Sequence, residues 1–197
     1  MVGSKGVSMS KMEVALYAAT FGWLLAQATE LLRYYFRMRS KKASLIEELF
    51  ELKLLLADGA ESARDSAMNY GRGGVFLYSL GSQLSAPVFE SFYHEVADKF
   101  TVEQRFNIRT FHNHLIFYNN LVRGLREAKS GSLSRDEIVL KLFEAYKQAS
   151  LAVIYLEACN ESGGKEKLTN SHPKIEDLRD RINKDLDRLF LPQEINK

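Results

Sequence analysis

The stretch Val14–Lys42, VALYAATFGWLLAQATELLRYYFRMRSKK, constrains this chain more than any other. A bilayer span needs about 20 predominantly apolar residues, whereas a run of about 10–14 is more often a core helix or a signal-peptide core. The uncharged run Val14–Thr29 falls between those limits. Continuing it through Leu31, Leu32, Tyr34, Tyr35 and Phe36 reaches spanning length, provided Glu30 and Arg33 are accommodated. Three positions apart on a helix, those two share a face and can pair, and Arg33 lies near enough to one end to snorkel. Tyr34, Tyr35 and Phe36 then sit at the interfacial level, where amphipathic rings are favoured. The expectation is a single-pass anchor helix over residues 12–42. Its interface residues are Arg33, Arg37, Arg39, Lys41 and Lys42, set against an anionic cytoplasmic leaflet.

Two other readings use the same residues. Ala26-Gln27-Ala28 has the form of a signal-peptidase site behind a short apolar core, with Lys5 and Lys11 as its basic leader. The dense positive charge that follows resists translocation and argues against cleavage there. Alternatively the stretch is the central helix of a soluble cytoplasmic bundle, with Trp23 in its core. For an anchored chain, the basic residues after the apolar run put the bulk of the protein in the cytoplasm, at a plasma or inner membrane.

At 197 residues the chain has enough length for one domain with a sizeable core. A net charge of +2, with much of the basic excess in the cluster just described, argues against a dedicated nucleic-acid surface. The one cysteine, Cys159, rules out an internal disulfide. Three prolines, at 87, 173 and 192, leave room for long helices.

Residues 1–11 are small, polar and glycine-bearing, the composition of a disordered tail. Ser44-x-x-Glu47 has the form of a capping box opening a new helix. From there Leu45, Leu49, Leu52, Leu56, Ala60, Ala63 and Ala67 recur at spacings of about three and four, one helix face. Gly59 interrupts that helix at a cost of about 1 kcal/mol relative to Ala. Tyr70-Gly71-Arg72-Gly73-Gly74 lacks the Gly-Lys-Ser/Thr of a P-loop and the strand–helix setting of a dinucleotide fingerprint, so it reads as a flexible connector. After the short apolar piece Val75–Leu80, Ser85 and Pro87 open a helix burying Phe89, Phe92, Val96 and Phe100. Thr101-x-x-Gln104 caps the next, whose seam is Ile108, Phe111, Leu115, Tyr118, Val122 and Leu125. Ser134-x-x-Glu137, after Gly131, caps another, with Val139, Leu142, Tyr146, Ala149, Val153 and Leu156 inside. Residues 161–172 read as a linker. A last amphipathic helix over 173–191 buries Ile175, Leu178, Ile182, Leu186, Leu189 and Phe190. No strand-like alternation appears. The fold class is all-α: an N-terminal anchor helix, an up-and-down bundle over residues 43–160 and a trailing helix.

Chemistry is sparse. Glu90, His94 and Asp98 recur every four residues and can face one cation, but a helical metal site also needs ligands from a facing helix. The polar side of an amphipathic helix yields the same triplet routinely. Arg105, His112, Asn119 and Arg126 recur at seven and form a polar stripe beside the apolar seam, suited to a partner or to hydrogen bonds with a neighbouring helix. Cys159 ends an apolar run with no base near it in sequence, and no GxSxG elbow exists.

Arg109-Thr-Phe-His-Asn-His114 resembles the Arg-x4–6-His motif of HEPN ribonucleases, a family of helical bundles. That resemblance implies a metal-independent RNase site shared between two protomers. Arg109 and His114 would be its members, with Arg105 and His112 as a second match; Thr110 only weakly meets the family's polar residue after the arginine. It covers this hexapeptide and the helical class alone. Five positions on an ideal helix also set the two side chains about 140° apart. The expected function is therefore binding, as a membrane-anchored adaptor, scaffold or regulatory subunit without a cofactor. Its partner would be another protein or a second copy. An RNase and a soluble bundle holding an apolar ligand are the alternatives.

Overall fold

The computed structural model describes residues 10–75, 82–128, 133–160 and 167–190. They form helices α1 (Lys11–Gly71), α2 (Pro87–Val96), α3 (Val102–Glu127), α4 (Arg135–Asn160) and α5 (Pro173–Phe190), with a 3-10 turn at Ala97–Lys99. No strand occurs among the described residues. The chain divides into two compact units, Met1–Ala43 and Ser44–Lys197.

In the first unit, the capping box opening α1 is Ser10-x-x-Glu13, which the sequence reading passed over. The Ser10 N–H donates to the Glu13 carboxylate at 2.7 Å, and the Glu13 N–H donates back to the Ser10 hydroxyl at 3.2 Å. Ser44-x-x-Glu47, by contrast, opens nothing, because α1 continues through it to Gly71. Ser44 follows Ala43 with no glycine or proline to stop the preceding helix, and a capping sequence alone does not interrupt one. Every residue from 10 to 37 is exposed. Val14, Phe21, Trp23, Leu25, Leu32 and Phe36 are among the large apolar side chains left uncovered, on all sides of the helix. The expectation of Trp23 in a core is corrected, since its side chain is 62% exposed. The spanning expectation is corrected too: among the described residues, no helix is long and apolar enough to cross a membrane. The apolar run stops short, and a segment of spanning length drawn from it takes in Gln27 together with Glu13 or Glu30.

The second unit has its own core. The α1 face Leu45, Leu49, Leu52, Leu56, Ala60, Ala63 and Ala67 is buried as its spacing predicts. So is the whole α3 seam, Ile108, Phe111, Leu115, Tyr118, Val122 and Leu125. The glycine at 59 has a physical cause: Tyr118 of α3 reaches in. A β-carbon at position 59 would meet the Tyr118 hydroxyl oxygen at 2.5 Å. Helix α4 is buried on more than its predicted face. Phe143, Ala145, Ala152, Ile154, Tyr155 and Ala158 join Val139, Leu142, Tyr146, Ala149 and Leu156, while Val153 is half-buried. It packs on both α3 and α5, so a one-stripe reading understates it.

The glycine-rich stretch after Tyr70 is a helix stop rather than a loose connector. Gly73 has φ +97°; its N–H donates to Tyr70 O, and the Gly74 N–H donates to Asn69 O. This is the left-handed Schellman ending that satisfies the last carbonyls of α1. Both groups that a phosphate would need are thus committed to the helix. Helix α2 is capped from a distance, since Ala86 offers no side-chain cap. The Glu48 carboxylate of α1 accepts from the Val88 and Phe89 N–H groups at 2.8 and 2.7 Å, a negative charge where the helix dipole is positive. Tyr93 rather than Phe92 completes the buried face of α2. Both capping boxes read at Thr101/Gln104 and Ser134/Glu137 form.

On α5, Ile175, Leu178 and Ile182 are buried as expected, but the fourth buried position is Asp185, not Leu186. Asp185 accepts from Arg64 Nε of α1 at 2.6 Å and pairs with Arg188 at 3.5 Å. Glu157 of α4 binds Lys53 of α1 at 3.4 Å and Lys174 of α5 at 3.3 Å. These pairs tie the last helix to the first. The tail over 1–9, the apolar piece 76–80, Gly131 and the linker over 161–166 lie outside the described residues. Leu168, within the expected linker, is buried, and its N–H donates to the buried Asn107 carboxamide at 3.4 Å.

Candidate functional site

Each candidate from the sequence has a definite place. Glu90 and His94 are exposed on α2, but the helix ends at Val96 and Asp98 falls in the 3-10 turn. There Asp98 pairs with Lys99 at 2.7 Å, which holds its carboxyl below the usual range. The regular four-residue spacing is therefore lost. Among the described residues no group of His, Cys, Asp or Glu is arranged to hold a metal ion.

The stripe on α3 splits between neighbours. His112 stacks on Phe89 of α2 with ring centroids 4.3 Å apart. Asn119 clamps the segment before α2, accepting from Leu84 N–H at 2.9 Å and donating to Leu84 O at 2.7 Å. The Arg105 carbonyl accepts from the Tyr93 hydroxyl at 3.3 Å. Arg126 is exposed near the end of α3. Two of the four side chains thus fasten α3 to what precedes it, the packing role open to such a flank.

Arg109 and His114 do not meet within the chain. Arg109 is exposed and lines a surface cavity of about 660 Å³ with Arg105, Phe106, Asn113 and Lys167. His114 lines a different cavity, of about 520 Å³, where α4 faces α5. The roughly 140° between their directions on α3 is the physical reason. Cys159 is held in helix-end packing: its thiol donates to Tyr155 O at 3.3 Å, and burial pushes it up to about 12. A thiol at that value supplies almost no thiolate near neutrality.

The 520 Å³ cavity was not foreseen, because residues of α3, α4 and α5 come together to build it. Leu140, Phe143, Leu151 and Tyr155 come from α4; Ile175, Leu178, Ile182 and Leu186 come from α5. Its polar groups are His114, Glu144, Lys147, Asn170, Arg179 and Asn183. They include an ordered chain. The His114 Nδ1 lies 2.6 Å from Gln148 Oε1, Gln148 Nε2 donates to Glu144 Oε1 at 2.6 Å, and Lys147 Nζ pairs with the same carboxylate at 3.2 Å. With the Gln148 oxygen as acceptor, His114 carries its proton on Nδ1. Burial lowers the His114 pKa, and the ring stacks on Tyr155 at 5.5 Å. The imidazole is consequently neutral at pH 7 and acts as a fixed polar wall.

The first unit carries the remaining candidates. Arg33 pairs with Glu30 at 3.0 Å, as their spacing predicts, and both are well exposed. Arg37 and Arg39 are exposed, while Lys41 and Lys42 are half-buried. The hydroxyls of Thr20 and Thr29 donate to the carbonyls of Leu16 and Leu25, at 2.9 and 2.8 Å.

Fold and site together define an all-α protein: a helical bundle with an amphipathic cavity between α4 and α5, its first helix apolar and exposed over residues 14–29. No known protein family matches the chain, and no curated protein or solved structure is detectably similar to it.

Proposed function

We propose that this is a membrane-attached binding protein, held at the bilayer by the N-terminal part of α1 and acting through the bundle of residues 44–197 as an adaptor, scaffold or regulatory subunit. One observation carries the reading: an uncharged helical segment from Val14 to Thr29 with every side chain exposed. Seven large apolar side chains of that segment are exposed, from Val14 to Leu25; transferring one out of water is worth about 1.5–3 kcal/mol, so covering them gains on the order of 10 kcal/mol. Apolar character on all sides suits embedding in hydrocarbon better than lying on a surface, which calls for a polar face. Both threonine hydroxyls inside the segment bond to the helix backbone, and just beyond it Glu30 pairs with Arg33. Because no helix among the described residues is long and apolar enough to cross a membrane, the proposal is insertion into the bilayer rather than an independent span. Arg37, Arg39, Lys41 and Lys42 favour an anionic cytoplasmic leaflet, which keeps the bundle in the cytoplasm.

Flotation tests this directly. The full chain mixed with phosphatidylcholine–phosphatidylglycerol vesicles should rise with them and stay bound through alkaline carbonate, while residues 44–197 alone stay at the bottom. A full chain that remains in the dense fraction would overturn membrane attachment. A discrete oligomer in that fraction would show that a second copy covers the helix instead.

A further inference from the structure

We propose that the cavity between α4 and α5 binds an amphipathic carboxylate: a single anionic head on an apolar body of medium-chain acyl length. The volume of about 520 Å³ lies within the 300–1,000 Å³ range of small-molecule sites, as does the build of an apolar lining with a few placed polar groups. Its apolar part comes from two facing helices: Leu140, Phe143 and Leu151 on α4, Ile175, Leu178 and Ile182 on α5. That is room and chemistry for a hydrocarbon chain.

The head group follows from charge. Lys147 and Arg179 line the cavity as cations, against the lone carboxylate of Glu144. Lys147 is already shared with Glu144 at 3.2 Å. Arg179 makes a 3.5 Å contact from one guanidinium nitrogen to Asn170 O, and a guanidinium has five N–H donors in a fixed fork. His114, neutral and oriented by Gln148, adds no charge of its own. The lining therefore has one positive charge in excess. An incoming carboxylate satisfies it bidentately at Arg179 with help from Lys147. A cationic or dianionic ligand would leave a charge unpaired against the apolar wall, and a neutral one would gain a hydrogen bond from either cation but no charge pairing.

The test uses decanoate as the probe, below its micelle concentration, titrated calorimetrically into the full chain, with decanol as the uncharged counterpart. The exposed N-terminal helix also offers apolar surface, so two variants make the reading site-specific. Leu151→Trp fills the cavity from a half-buried position, and Lys147→Ala/Arg179→Ala removes the two cations from exposed ones. Circular dichroism checks that each is folded. The expected result is saturable 1:1 binding of decanoate, abolished by Leu151→Trp and weakened about tenfold or more by the double substitution, the loss typical of a charge-assisted contact. Decanol should bind the parent more weakly than decanoate does and lose much less in the double variant. If decanoate binds with the same affinity when the cavity is filled, or as well as decanol whatever the cations, the proposal is wrong. Membrane attachment does not enter this outcome, since both variants leave the N-terminal helix of the full chain unchanged.

Discussion

A β-carbon at Gly59 would meet the Tyr118 hydroxyl at 2.5 Å and the next ring atom at 3.2 Å. The glycine that costs α1 helix propensity is thus the clearance for a buried tyrosine. Gly59→Ala should gain about 1 kcal/mol in propensity but lose more to overpacking, for a net loss of up to roughly 2 kcal/mol in denaturant unfolding. Made in a Tyr118→Phe background the same change should cost less, because the closest atom is gone; equal costs in both backgrounds would show that the hydroxyl is not the obstacle. His112 and His114 give a second prediction at this scale. Burial lowers both pKa values, with Glu90 opposing it at His112 and Gln148 opposing it at His114. The unfolded chain therefore binds protons more readily than the folded one just below the ordinary histidine value of about 6.5. Stability should be complete above that pH and decline as acid titrates the unfolded histidines, before carboxylates contribute near pH 4. Thermal midpoints between pH 7 and 5 should fall for the parent and stay flatter for His112→Asn/His114→Gln.

Among the helices, α2 depends most on a residue outside itself. Its first residue, Pro87, suits an N-terminus, yet the acceptors for Val88 and Phe89 N–H come from Glu48, forty residues earlier on α1. Glu48→Ala should destabilise by about 1–2 kcal/mol, as for loss of an N-cap. Amide exchange at Val88 and Phe89 should quicken in particular; unchanged protection there would mean that the cap contributes nothing. Helices α3 and α5 differ in how far sequence periodicity describes them. Every seam residue of α3 is buried where three-four spacing puts it. On α5 the pattern breaks at Asp185, whose burial is tolerated only because Arg64 and Arg188 reach its carboxylate. No local rule foresees a partner 121 positions away.

For the whole molecule, the core of residues 44–197 draws on α1 from Leu45 onward and on every later helix. That fragment should fold cooperatively without the first 43 residues, and Leu115→Asp should abolish its transition, since an unpaired buried carboxylate costs several kcal/mol, comparable with total domain stability. A sigmoidal melt retained in the variant would show that the wrong face of α3 has been assigned to the core. Helix type, the buried faces of α1 and α3, two capping boxes and the Glu30–Arg33 pair were legible in the sequence. Each is decided by neighbours within one or two turns, where spacing is the physics. Tertiary structure alone decided the rest. Which glycine is clearance depends on Tyr118, and a metal triplet is lost when α2 tightens into a 3-10 turn at Ala97. The separation of Arg109 from His114 follows helix geometry, but the cavity that His114 joins exists only because α4 and α5 meet. Residues far apart in the chain become a site through packing, and packing energies are not written in any local spacing.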